Sequence, residues 1–121
     1  LIQGSIVPPS MVQVYETAYF VPLLWFAFIL VAPFMEEILF RGFLFQGFVH
    51  TRLGPAGAIV LISILWAALH TQYDLYGIVI VFLGGLLLGY ARLRTASIYV
   101  PIIMHVMQNL VATIEVAISL R

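Results

Sequence analysis

The chain has 121 residues, of which 64% are apolar and 8% charged, against roughly 25% charged in soluble proteins. Five acids and five bases cancel, and there is no cysteine; every base is Arg. So few charges cannot cover a water-facing surface on so apolar a chain, which excludes a soluble enzyme, a disordered tail and a nucleic-acid binder with its basic stripe, while the missing thiols exclude disulfides, thiol catalysis and thiolate metal sites.

What remains is an all-α, polytopic transmembrane helix bundle with the lipid bilayer as its partner. Residues 1–17, with Pro8-Pro9-Ser10, read as a loop or the end of a preceding segment. The opening Leu1 suggests a piece of a longer protein. Residues 18–121 read as one core of about four helices. The first apolar run, from Ala18, is interrupted by Glu36 and Glu37 and resumes to His50. As one helix, residues 18–51 would measure roughly 50 Å. Pro33 removes a backbone bond one turn before Glu36, so the spacing predicts a long kinked helix or two short ones end to end. Leu53-Gly54-Pro55 closes it. Further runs over Gly54–Leu69, Leu75–Ala91 and Thr95–Ile114 each approach the length of a span. In lipid, where the backbone must satisfy itself, these are helices. Asp74 is placed to cap the third of them. Within that helix Gly85 and Gly89 form a G-x-x-x-G that invites close packing inside the bundle. If the helices alternate, Arg52, Arg92 and Arg94 share one side, which the positive-inside bias marks as cytoplasmic.

Ionisable residues inside a span are costly and point to function. Glu37 and Arg41 stand i, i+4 on one helix face, in the favourable order for an ion pair. Glu36 points about 140° away from Arg41, so Arg41 neutralises Glu37 and leaves Glu36 for another partner. Trp66 and His70 are one turn apart at the end of the second helix, and His105 and Asn109 one turn apart in the last. Each pair alone fits interfacial or interhelical hydrogen bonding. Depth couples them: counted from the arginine-rich side, Glu36 and His70 lie at roughly 22 Å, Asn109 at roughly 18 Å and His105 at roughly 12 Å. Three helices therefore converge on one intramembrane polar pocket.

A Glu beside a His can activate water as a general base, and a second His with an Asn can donate to a developing oxyanion. That is equipment for hydrolysing an amide. The sequence lacks His-Glu-x-x-His and Gly-x-Ser-x-Gly, and its one Asp cannot form an aspartyl pair. Zinc held by Glu36, His70 and His105 stays open as an alternative to a cofactor-free site.

Three motifs in order resemble those of the CAAX-protease and bacteriocin-processing family, also called Abi, whose eukaryotic members are the type II CAAX prenyl endopeptidases. Glu-Glu-x-x-x-Arg stands as Glu36 to Arg41, aromatic-x-x-x-His as Trp66 to His70, with Trp where Phe is more usual, and His-x-x-x-Asn as His105 to Asn109. The resemblance covers about residues 18–118. It implies an intramembrane glutamate protease in which Glu36 and His70 activate the water, His105 and Asn109 form the oxyanion site, and Glu37, Arg41 and Trp66 support them. The family's earlier description as metalloproteases keeps zinc as the runner-up. The implied substrate is a peptide or protein, prenylated or plain. The arginine-only bases and the His70 to Asp74 stretch read as bacterial, with an inner membrane as the setting. A non-catalytic binding or immunity module of the same fold is the alternative function.

Overall fold

The computed structural model describes residues 7–121; the start of the expected N-terminal loop, residues 1–6, lies outside the described residues. Among the described residues the architecture is all helical. The helices are α1 (Pro9–Thr17), α2 (Val21–Val49), α3 (Gly54–Ala68), α4 (Leu75–Thr95) and α5 (Tyr99–Ser119). Residues 9–17, expected as loop, are instead helical. Pro9 opens α1 at its first position, where its missing N–H and fixed φ cost nothing, and α2 and α3 likewise carry Pro in their first two positions.

Three helices, α2, α4 and α5, are long and apolar enough to cross a membrane. The protein is an integral membrane protein. The second helix, expected over Gly54–Leu69, is α3: it has 15 residues, about 22 Å, apolar but shorter than the roughly 30 Å hydrocarbon core, with Trp66 in its last turn.

The long first helix is continuous rather than split. Its strain is absorbed by two π-helical stretches, Ala27–Val31 and Ile38–Leu44, on either side of an α-helical Ala32–Glu37. The Ala32 N–H donates to the Ala27 carbonyl, five residues back. This widened turn directly precedes Pro33, whose ring would otherwise press on the turn before it. Both glutamates sit at the end of the short α-helical stretch between the two π segments.

Burial is inverted relative to a soluble protein. Glu37, Arg41, Ser63, His105 and Thr113 are buried, while Phe34, Phe43, Leu65, Leu83, Ile103 and Val111 face outward, as lipid-facing residues do. Tyr19, Trp25, Tyr76, Tyr90 and Tyr99 are also exposed. A small apolar core of Phe40, Phe45, Ala58, Ile62, Trp66 and Leu88 joins α2, α3 and α4.

Glycines line the α3–α4 contact and let the two helices approach closely. A Cβ on Gly85 would sit 3.0 Å from Ser63 Oγ and 3.1 Å from Trp66 Cε3, and one on Gly89 would sit 2.9 Å from Ile59. Gly85-x-x-x-Gly89 thus serves packing within the bundle. Asp74 caps α4: its Oδ1 accepts from the Gly77 N–H at 2.8 Å. Ala96, in the left-handed region at φ 51°, stops that helix.

Candidate active site

Glu37 is the hub of the buried polar network. Arg41 Nη1 donates to its Oε1 at 2.8 Å, and His105 Nδ1 lies 2.8 Å from the same oxygen. Both partners are essentially sealed, with Glu37 0% and Arg41 1% exposed. The i, i+4 spacing supplies the first contact; the second crosses from α2 to α5. Arg41 Nη2 also donates to the Gly85 carbonyl at 3.2 Å, a carbonyl that a larger residue in the glycine seam would push away. Arg92 Nε donates to the Arg41 carbonyl at 3.1 Å. The Arg41 guanidinium lies 4.5 Å from the Trp66 ring centroid, where the ring face offsets part of the charge's desolvation. Glu37 Oε2 and Arg41 Nε are buried without a hydrogen-bond partner, so the pair is held by charge more than by full satisfaction.

Glu36 is different in kind. Its carboxylate is 32% exposed. Its Oε2 accepts from the Trp66 indole N–H at 2.9 Å and lies 3.7 Å from His105 Nε2. Two neighbouring carboxylates of one helix thus meet opposite environments: one is locked to an arginine, the other opens toward space.

That space is a cavity of about 180 Å³. Glu36, His70, His105 and Asn109 all line it, together with Phe28, Tyr73 and Thr113. His70 comes from the end of α3. Its Nδ1 lies 2.7 Å from the Trp66 carbonyl, a contact only an N–H can make well. Nε2 is therefore the nitrogen left with a lone pair. Trp66 is packed edge-on against both imidazoles, 4.9 Å from His70 and 5.3 Å from His105. Asn109 Nδ2 donates to the Phe28 carbonyl at 2.8 Å, a carbonyl in the first π-helical stretch. One of its two amide hydrogens is used there.

The structure thus brings Glu36, His70, His105 and Asn109 to a single cavity and puts Glu37, Arg41 and Trp66 behind them. Direct bonding differs from a simple Glu36–His70 partnership. Glu36 takes its hydrogen bond from Trp66, and His105 is bound to Glu37. Sequence reasoning missed two walls. Tyr73, in the α3–α4 turn, stacks on His70 with centroids 6.2 Å apart. Its phenol is pushed up from its ordinary pKa by burial first, then by the charges of Glu36 and Glu115. Val7, Pro8 and Met11 close the far side. Tyr73 lies three residues after a candidate histidine, which is a usable signal; the N-terminal segment offered none.

Among the described residues no three of His, Asp and Glu are grouped to hold a metal ion. Each candidate imidazole holds its Nδ1 at a protein oxygen, which leaves Nε2 as the working nitrogen, an arrangement that suits a general base and a metal ligand alike.

Comparison with known proteins settles the family. The family described as "Type II CAAX prenyl endopeptidase Rce1-like" matches residues 18–111. The chain belongs to this family. The match to the type II CAAX prenyl endopeptidase family contains all three motifs and, of the cavity residues named above, Phe28, Glu36, His70, Tyr73, His105 and Asn109, whereas Val7, Pro8, Met11 and Thr113 lie outside it. An Escherichia coli protein described as "Uncharacterized 24.3 kDa protein" is 34% identical over 79 residues, covering 63% of this chain and 36% of that protein. The chain therefore spans well under half the length of that relative. No solved structure matches it.

Proposed function

We propose that this chain forms the core of a membrane endopeptidase that hydrolyses a peptide bond with a water activated by Glu36 and His70, without a metal. The observation that carries the reading is the split of the two glutamates. Glu37 is neutralised by Arg41 in a sealed pocket, whereas Glu36 faces a cavity lined by two histidines and an asparagine. A scaffold has no need of a half-exposed carboxylate there.

In this reading a water in the cavity lies between the Glu36 carboxylate and His70 Nε2. Glu36 takes one proton as the water oxygen bonds to the scissile carbonyl carbon. The free amide hydrogen of Asn109 donates to the oxyanion; His105, expected to share that role, holds its Nδ1–H at Glu37 and keeps Nε2 as an acceptor, so in this reading it carries the proton instead. The proton on Glu36 passes to His105 Nε2, 3.7 Å from Glu36 Oε2, while Glu37 holds the opposite edge of that ring. The imidazole then gives the proton to the leaving amine as the C–N bond breaks. One water is consumed, and an acid and an amine result. Trp66 keeps Glu36 aimed.

The family name points to peptides ending in a prenylated cysteine motif as the first substrates to test. The relative's source supports a bacterial inner membrane as the setting. The test is cleavage of prenylated and plain peptides by the full-length protein in detergent, read by mass spectrometry. Wild type is expected to cleave with and without a zinc chelator, and His70→Ala is expected to be inactive in both. Loss of wild-type cleavage with chelator alone would overturn the metal-free mechanism. Intact function in the cell with His70→Ala would favour a binding or immunity module.

A further inference from the structure

The turn that joins α3 to α4 is built around one side chain, Tyr73. Its backbone N–H donates to the His70 carbonyl at 3.2 Å, which folds the turn back on the histidine. The next residue, Asp74, is pinned by capping α4. The start of α4 then makes room. A Cβ on Gly77 would lie 2.7 Å from Tyr73 Cβ and 2.8 Å from its Cδ1, closer than atoms tolerate, so any larger residue at 77 displaces the ring. Three independent features thus set one aromatic ring nearly parallel to the His70 imidazole, at 28°.

Trp66 packs edge-on against the same imidazole at 4.9 Å. The imidazole thus meets two aromatic rings, with Nδ1 held at the Trp66 carbonyl. Rotation of the ring about its own bond would exchange the positions of Nδ1 and Nε2, and these contacts oppose it. Tyr73 also lines a second, outer cavity of about 600 Å³, beside Pro8, Val12, Gln72 and Asp74. With Val7, Pro8 and Gln72 it lines both that cavity and the inner one.

Resting on the proposed peptidase reading, we infer that Tyr73 is a positioning residue: its ring clamps His70 so that Nε2 faces the inner cavity. The function lies in the ring, since stacking needs the aromatic face and not the hydroxyl. The protonated phenol is neutral, so it adds no charge beside Glu36.

The experiment compares wild type, Tyr73→Phe, Tyr73→Leu and Gly77→Ala in the full-length protein. One arm measures kcat and KM for peptide cleavage. The other records imidazole ¹⁵N signals of His70, assigned by its loss in His70→Ala. Tyr73→Phe is expected to match wild type in both arms. Tyr73→Leu is expected to lower kcat roughly ten- to hundredfold, as a misplaced catalytic group does, with little change in KM. Its His70 should change from one Nδ1–H tautomer to a mixture. Gly77→Ala, which keeps the tyrosine but shifts it, should move both readouts the same way to a smaller extent. A Tyr73→Leu protein with an unchanged tautomer and unchanged kcat would overturn the inference. So would a Tyr73→Phe protein as impaired as Tyr73→Leu. If wild type cleaves no peptide, the peptidase reading fails separately, and the tautomer arm still decides whether Tyr73 orders His70. Should Tyr73→Leu not fold, Gly77→Ala carries both arms.

Discussion

Exchanging the two adjacent glutamates' charges separately should divide stability from catalysis. Glu37 Oε1 accepts from both Arg41 and His105, and neither Glu37 nor Arg41 reaches solvent. Glu37→Leu leaves the Arg41 guanidinium buried and uncompensated, a change that costs about 3–5 kcal/mol when a buried pair loses one member. Glu37→Gln keeps an oxygen acceptor but not the charge, and charged hydrogen bonds are roughly twice as strong as neutral ones. An intermediate loss of about 2 kcal/mol is expected. Glu36→Gln should cost no more than about 1 kcal/mol, because its amide oxygen can still accept from Trp66 and its carboxylate is 32% exposed. Thermal unfolding of the purified protein in detergent, followed by circular dichroism, ranks the three variants. The expected order of unfolding midpoints is wild type, Glu36→Gln, Glu37→Gln, Glu37→Leu, from highest to lowest. A Glu37→Leu protein as stable as wild type would refute the hub role of Glu37. So would a Glu36→Gln protein that loses as much as Glu37→Leu.

Other consequences are as specific. Trp66→Phe keeps the ring beside Arg41 and both histidines but removes the N–H on Glu36; a rate loss of about tenfold in peptide cleavage is expected, with folding retained. Gly85→Leu forces a side chain against Ser63 and Trp66, so a destabilisation of about 1–3 kcal/mol should accompany lost cleavage, whereas Gly47→Ala, with open space around it, should leave both intact. The raised pKa of Tyr73 means that the folded state holds that phenol proton to higher pH than the unfolded chain. The resulting stabilisation is present below the ordinary tyrosine value and is lost as pH rises through the folded one. In an ultraviolet titration the difference between wild type and Tyr73→Phe should show one phenolate appearing above the ordinary range, and a normal titration would contradict the burial of that ring.

Local spacing made much of this legible. The pairing of Glu37 with Arg41 follows from an i, i+4 step, the Asp74 cap from a polar residue before an apolar run, and the glycine seam of α4 from a four-residue repeat. What spacing cannot reveal is contact across the chain. His105 is 68 residues from Glu37, and Trp66 is 30 from Glu36, so the partners of both were open until the helices were packed. The α3 helix was legible to within a residue, Gly54–Leu69 from the apolar run against Gly54–Ala68 in the structure, because the Gly54-Pro55 start and the polar turn at 71–74 bound it. Pro33 announced a break, but whether a helix bends, splits or widens into π turns depends on what packs around it. The helical start at Pro9–Thr17 had no apolar periodicity to mark it.

The central claim is that Glu36, and not its neighbour, is the carboxylate that activates water. The most direct measurement is the rate of peptide cleavage by Glu36→Gln in the full-length protein, made on material whose unfolding midpoint stays close to that of wild type. A loss of about a hundredfold or more is predicted, the scale set by removing a general base. Cleavage near the wild-type rate from a folded Glu36→Gln protein would contradict the account.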